Sequence, residues 1–245
     1  MDSIRIVPLY VPQELLTHVG DAAPISAPQL TYRGGPLLTN VDVHTVFWGS
    51  AWQTGAQKPM VDQINGFFDF ILTSPLLDQL SEYNTPNLKI GRGQRSGTTT
   101  ITTPTLGRSV TDAALRQMLQ TAALPAPGPN RLYFVYLEPG VSLVQGNSRS
   151  CQAFCGYHDT IDGKMFYAAM PYANCTGCQG GLSIFDALTS TSSHELCEAI
   201  TDPVPGQGWY DDQNGEIGDI CAWKTKKIGA YTVQLEWSNK ANACV

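Results

Sequence analysis

The stretch SSHELCEAITDP, Ser192 to Pro203, carries a histidine, a glutamate directly after it, and a second glutamate four residues on, at His194, Glu195 and Glu198. On an α-helix, residues four apart project from neighbouring turns of one face. His194 and Glu198 can then hold one metal ion between them, as in a zinc-hydrolase helix whose second histidine has become glutamate. Phe185, Leu188, Leu196 and Ile200 supply apolar contacts that extend this helix from Ser183 to Ile200, and Pro203 stops it. A blander reading of the same residues is an i,i+4 hydrogen-bonded pair on an exposed helix, with Glu195 solvated.

The downstream sequence bears on that choice. GWYDDQNGEIGDICAW, residues 208–223, brings two more carboxylates, Glu216 and Asp219, in an apolar, tryptophan-rich setting. Buried carboxylates are costly unless something neutralises them, so Glu198, Glu216 and Asp219 beside His194 make sense around a divalent cation. The DDQNGE segment at 211–216 does not have EF-hand spacing, which excludes that route to calcium but not an irregular calcium site.

Composition sets the outer limits. A chain of 245 residues, 42% hydrophobic, can bury a sizeable core. A net charge of -6 without a Lys/Arg block leaves no footprint for nucleic acid or an anionic membrane surface. No apolar run approaches the roughly 18 residues of a membrane-spanning helix. The start, MDSIRIVPLYVPQELL, is read as carrying no export signal.

All 7 cysteines fall at or beyond Cys151, a pattern that suggests disulfides and an oxidising compartment. Pairing sequence neighbours joins Cys151 to Cys155, Cys175 to Cys178 and Cys221 to Cys244. Cys197 is left over on the candidate metal helix, as a buried thiol. Asn174-Cys175-Thr176 fits a glycosylation sequon, which a disulfide at Cys175 would hinder.

Periodicity places the remaining elements. Residues 1–36 are Pro-rich and read as an irregular arm, and 37–245 as a single domain. VDVHTVFWG (41–49) alternates as a strand, with Val41, Val43, Thr45 and Phe47 on one face. Val61, Ile64, Phe67, Phe68, Ile71 and Leu72 are spaced as a helix that breaks at Pro75. GRGQRSG (91–97) lacks the GK[ST] of a phosphate loop and reads as a flexible loop. A helix over 111–124 and a buried strand over 131–139 follow. FCGYHDTIDGKMFYAAMPY (154–172) reads as a hairpin turning at Asp162-Gly163. His158 on it points into the cleft as a substrate contact or a further metal ligand, although most lone strand histidines are neither. His18 and His44 are assigned no role.

YRGGPLLTNVDVHTVFWG, CGYH, MPYANCTGC, SSHELCEAITDP, GWYDD and GEIGDIC together resemble the phosphate-induced protein 1 family, the EXORDIUM-like proteins of plants and their microbial relatives. The specific blocks are HELxE followed by Thr-Asp-Pro, the Trp-Tyr pair and E-I-x-D-x-C; Cys197 stands where plant members usually carry alanine. The resemblance implies an extracellular, cell-wall-associated protein and a zincin-like metallopeptidase reading; a cytoplasmic location is the alternative. The fold expected is α/β or α+β, zincin-like. It has a twisted mixed sheet, a backing helix, an edge hairpin beside the cleft and the HELCE helix beneath.

Two functions follow. In a zinc-dependent peptidase or related hydrolase, His194, Glu198 and Asp219 ligate the ion and Glu195 is the general base. Glu216 orients a ligand from behind or exchanges roles with Asp219. The substrate, a peptide or cell-wall-type polymer, lies along the sheet edge. In a binding protein the acidic ligand set holds calcium or manganese, and Trp209, Tyr210, Trp223 and Trp237 stack on sugar or peptide.

Overall fold

Alternate residues of VDVHTVFWG go to opposite faces of a strand, and in the computed structural model, which describes residues 7–11 and 27–245, both faces are buried. Val43 and Phe47 enter one core, Val46 and Trp48 another. The strand is β1 (Asp42–Trp48), second in a five-stranded sheet. The others are β2 (Gln94–Ile101), β3 (Arg131–Leu137), β4 (Tyr157–Ile161) and β5 (Met165–Met170), in the order β2-β1-β3-β5-β4. The first four in that order run parallel, and β4 returns antiparallel to β5 as an edge.

A mostly parallel sheet needs cover on both faces. Helix α1 (Gln57–Ile71) packs Ile64, Phe67, Phe68 and Ile71 on the face of Val43, Phe47, Phe134 and Tyr136. Helix α2 (Asp112–Thr121) packs Leu115, Met118 and Leu119 on the face of Val46, Tyr133 and Val135. Helix α3 (Ile184–Thr201) shares the α1 face, with Leu188, Leu196 and Ile200 in the same core. The chain is therefore a mixed α/β fold with helices on both sides of its main sheet. No described helix is long and apolar enough to cross a membrane.

The hairpin turns where the sequence places it. Asp162 and Gly163 have φ of 55° and 65°, the pair of positive values a two-residue type I′ turn requires. Residues 91–97 correct the loop reading, because Gln94–Ile101 is the edge strand β2. Glycine and arginine obscure it in sequence, yet Thr98, Thr99, Thr100 and Ile101 are β-branched, and Arg95 bonds Asp69 of α1 through both guanidinium ends.

The arm also packs more closely than expected where it is described. Val7 and Leu30 are core residues, and Thr31–Tyr32 pairs antiparallel with Trp209–Tyr210.

The cysteine pairing differs too. Cys151 bonds Cys175, Cys155 bonds Cys178, and only Cys221–Cys244 joins the expected partners. Cys151 and Cys155 precede β4, whereas Cys175 and Cys178 follow β5. An antiparallel hairpin brings those two ends together, so the bridges cross between them. Cys197 is free and buried, as expected.

Helix α3 opens on a cap. Ser183 Oγ accepts from Asp186 N at 3.1 Å and donates to Asp186 Oδ2 at 2.8 Å. The hydroxyl of Thr232, then Lys227, hold the Asp186 carboxyl down to about 2, against an ordinary 3.8. A depressed carboxylate contributes stability that is complete above its unfolded value and is lost as pH falls through the folded one. Asp186→Ala is expected to cost about 1 kcal/mol at neutral pH. Urea titrations should show that difference closing between pH 4 and about pH 2.

Candidate metal centre

Helix α3 is buried on every side from Ala187 to Thr201, unusual for a segment so rich in serine and threonine. Its hydroxyls bond back to the helix: Thr189 to Asp186 O, Ser193 to Ser190 O and Thr201 to Cys197 O. Ser192 meets Tyr136 of β3 at 2.7 Å, and Ser193 accepts from Gln234 N at 2.9 Å. Small polar residues thus let the helix sit close between the sheet and the 231–234 strand. His194, Glu195 and Glu198 are thereby carried into the interior, each no more than 1% exposed. This overturns the exposed-helix alternative.

Strand β4 and the 215–219 loop close the cluster. His158, on the α3 face of β4, directs Nδ1 at Glu195 Oε2 (3.3 Å) and Glu198 Oε2 (3.5 Å). Its Nε2–H donates to the Asp202 carbonyl at 3.1 Å and lies 3.4 Å from Glu216 Oε1. Glu198 Oε1 accepts from Asp219 N at 3.0 Å and lies 2.9 Å from His194 Nε2. Asp219 Oδ2 accepts from Glu216 N. The loop comes this close because residue 218 is glycine: a Cβ there would stand 2.8 Å from His194 Nδ1 and 2.9 Å from Glu198 Oε1. Gly218→Ala is expected to cost about 1–3 kcal/mol through this overpacking, read as a fall in the urea midpoint at unchanged m-value.

All six residues singled out in the sequence, His158, His194, Glu195, Glu198, Glu216 and Asp219, therefore meet in one place. Ligand atoms of His158, Glu195 and Glu198 lie within 4.8 Å of one another, and so do those of His194, Glu198 and Asp219. The two groups share Glu198. Three residues without a sequence signal complete the surroundings. Gln234 Nε2 donates to Gly218 O at 2.9 Å and to His194 Nδ1 at 2.8 Å, while its Oε1 accepts from Trp223 N. Asp202 caps the following loop by accepting from the amides of Gly206, Gln207 and Gly208. Glu236 is fully buried beside Cys197, and burial pushes both the carboxyl and the thiol well above their ordinary values.

Electrostatics favour a positive charge at the centre. Burial lowers the His158 pKa, but Glu216, Glu195 and Glu198 outweigh it and hold the imidazole well above its ordinary value. Burial raises Glu198, yet His194 and His158 bring its carboxyl to about 2. Glu195 and Glu216 are raised, chiefly by burial. Glu195 Oε1 has no hydrogen-bond partner, and neither oxygen of Glu216 finds a well-directed one. Burial also lowers His194, but Glu198, Glu195 and Asp219 outweigh it and hold its imidazole well above its ordinary value.

The donor set fits a divalent cation. His158 is oriented like a metal ligand, with one ring nitrogen donating to a carbonyl and the other facing two carboxylates, where a bound cation would take the place of the ring proton. His194 belongs to the second group, with Glu198 and Asp219: its Nδ1 faces the Gln234 amide, and its Nε2 is buried with no well-directed hydrogen bond. An imidazole with two carboxylates suits zinc or manganese better than calcium, which takes oxygen ligands.

The aromatic residues offered as a stacking surface have other partners. Trp209 packs on Tyr32 and Tyr83, Trp223 on Tyr10, and Arg33 sits 4.4 Å over the Tyr210 ring. Trp237 is buried. His44 bonds Thr99 on β2, away from the cluster, and His18 lies outside the described residues. Comparison with family models and with curated proteins gives no match for this chain.

Proposed function

We propose that this chain is a metal-dependent hydrolase of zincin-like type, acting on peptides, with zinc as the first candidate ion and manganese the second. The observation that carries the reading is His158 Nδ1 aimed at Glu195 and Glu198 in a fully buried cluster that holds more carboxylates than imidazoles. His158 and Glu198 would hold the ion, with Glu195 facing it as the base. When bound, it supplies Lewis acidity toward a carbonyl oxygen.

The chain's own groups supply the rest. The Asp202 carbonyl orients His158 through Nε2–H, and the Asp219 amide fixes Glu198 through Oε1. Glu195 Oε1, unpartnered, is the oxygen that accepts a proton from the attacking water, and the same atom can return it to the leaving amine. Three disulfides suit an oxidising, extracellular setting. A second reading, a metal-holding binding protein, draws on the depth of the cluster, which leaves no open approach in this state.

Elemental analysis of two variants and the turnover of a third separate these arrangements. His158→Ala is expected to lose the ion, whereas His194→Asn keeps it; the reverse pattern would restore His194, Glu198 and Asp219 as ligands. Glu195→Gln should slow hydrolysis of a peptide library by about 10²–10⁴-fold, the range of general-base catalysis. An ion-loaded chain with no cleavage at all decides for the binding protein.

A further inference from the structure

Residues 7–11 run across the fold as an extended strap, and its backbone groups are held like those of a bound peptide. Val7 N donates to Gly156 O at 3.0 Å, and Val7 O accepts from Cys155 N at 2.9 Å. Pro8 O accepts from the Trp223 indole at 2.9 Å, and Tyr10 N donates to Gly177 O at 2.7 Å. The side chains alternate in use. Val7 is 2% exposed in the main core, while the Tyr10 ring stands edge-on to Trp223, with centroids 5.5 Å apart. Position 8 needs no N–H, which is why proline fits there.

The partners of the strap come from three places: the lead-in to β4, the short helix Thr176–Gln179, and Trp223. Both hairpin disulfides brace the first two. Trp223 has φ of 66°, a left-handed conformation that a bulky residue adopts only when its surroundings impose it, and such strain gathers at ligand clamps. Glycine at 177 leaves room for Leu9, because a Cβ there would come 3.1 Å from Leu9 Cδ2. The groove also borders the candidate metal centre. A Cβ on Gly156, the residue that bonds Val7, would stand 3.1 Å from Glu195 Oε1.

We propose that this groove is a recognition site for an extended polypeptide, and that residues 7–11 fill it in this structure as a built-in occupant. The occupant's own sequence describes the ligand: an aliphatic residue for the Val7 pocket, proline tolerated next, and an aromatic residue three positions after the aliphatic one, against Trp223. Main-chain bonds give affinity and alternate side chains give selectivity, as in other edge-bound peptides. This deepens the hydrolase reading by naming where its peptide substrate lies and which side chains select it, with the chain held beside Glu195; binding itself requires neither metal nor turnover.

The strap competes at the high effective concentration of a tethered ligand, of order millimolar. A labelled peptide carrying residues 6–11, IVPLYV, is therefore excluded from the intact chain. A specific protease site inserted after Val11, which is 47% exposed, allows the strap to be cut in the folded, full-length protein. After cutting, the labelled peptide is expected to bind at least about tenfold more tightly than to the uncut chain, or the cut strap to remain bound through gel filtration. Trp223→Ala, or tyrosine replaced by glycine in the peptide, should abolish that gain. Val7→Asp with Tyr10→Asp loosens the strap without cutting, should the insertion impair folding.

A folded, strap-free chain that binds no peptide overturns the proposal. Peptide binding without hydrolysis leaves it standing and counts against the hydrolase instead.

Discussion

Removing both hairpin bridges at once, by Cys151→Ala with Cys155→Ala, Cys175→Ala and Cys178→Ala, is expected to cost about 6 kcal/mol, comparable with the whole stability of many domains. Either bridge alone closes a loop of 23 or 24 residues of sequence separation, worth roughly 3.4 kcal/mol by loop-closure entropy. With one bridge in place, the other closes a ring of only about 9 residues, made of the two short segments between the cysteines. A single deletion therefore costs about 2.6 kcal/mol, less than half of the double deletion. Urea unfolding of the two single-bridge variants and of the bridge-free variant tests the asymmetry. Equal losses for the bridge-free and single-bridge chains would show that the second bridge contributes nothing.

Glu198→Ala is expected to lose the ion and to destabilise the protein by about 3–5 kcal/mol, the range for removing one partner of a buried ion pair. Glu198 is where the two halves of the cluster join. One oxygen accepts the Asp219 amide and neighbours His194, and the other faces His158. Without it, two imidazoles and an amide lose their common acceptor at a place that water does not reach. Glu198→Gln keeps an acceptor for the amide and should fall between alanine and wild type. Elemental analysis and urea unfolding read the two effects separately. A loss below about 1 kcal/mol with the ion retained would remove Glu198 from the centre of the site.

Much of this site was legible in the sequence because it lies on one helix. The i,i+4 spacing of His194 and Glu198 needs only the helical repeat, and the capping serine and Pro203 delimit that repeat. Glu216 and Asp219 could be suspected from carboxylates amid apolar residues. Gln234 and Glu236 could not, since they reach the cluster from a strand end and the link after it, roughly forty residues beyond His194, through tertiary packing alone. The role of His158 turned on which ring nitrogen finds a carbonyl, and only geometry shows that. The cysteine pairing was within reach: the same reading that recognised the Asp162-Gly163 hairpin implies that its two ends adjoin, so bridges between the ends follow from it. The β2 strand was hidden by a glycine- and arginine-rich start, which is common at sheet edges, where charge and short side chains face water.

That edge has a consequence for how copies of the protein behave beside one another in concentrated solution. An open strand is a template on which a neighbouring molecule can add its own, and runaway addition ends in fibres. Along β2 the side chains are polar on both faces, with Gln94 exposed and threonine at three successive positions, and Arg95 is drawn aside by Asp69. A second molecule arriving there meets polar side chains and charge instead of an apolar ribbon. The opposite end of the sheet uses a different defence, because the lead-in to β4 already has its partner in Val7. A chain deprived of residues 7–11 would thus present one guarded margin and one bare one, and self-association should begin at the bare one as concentration rises.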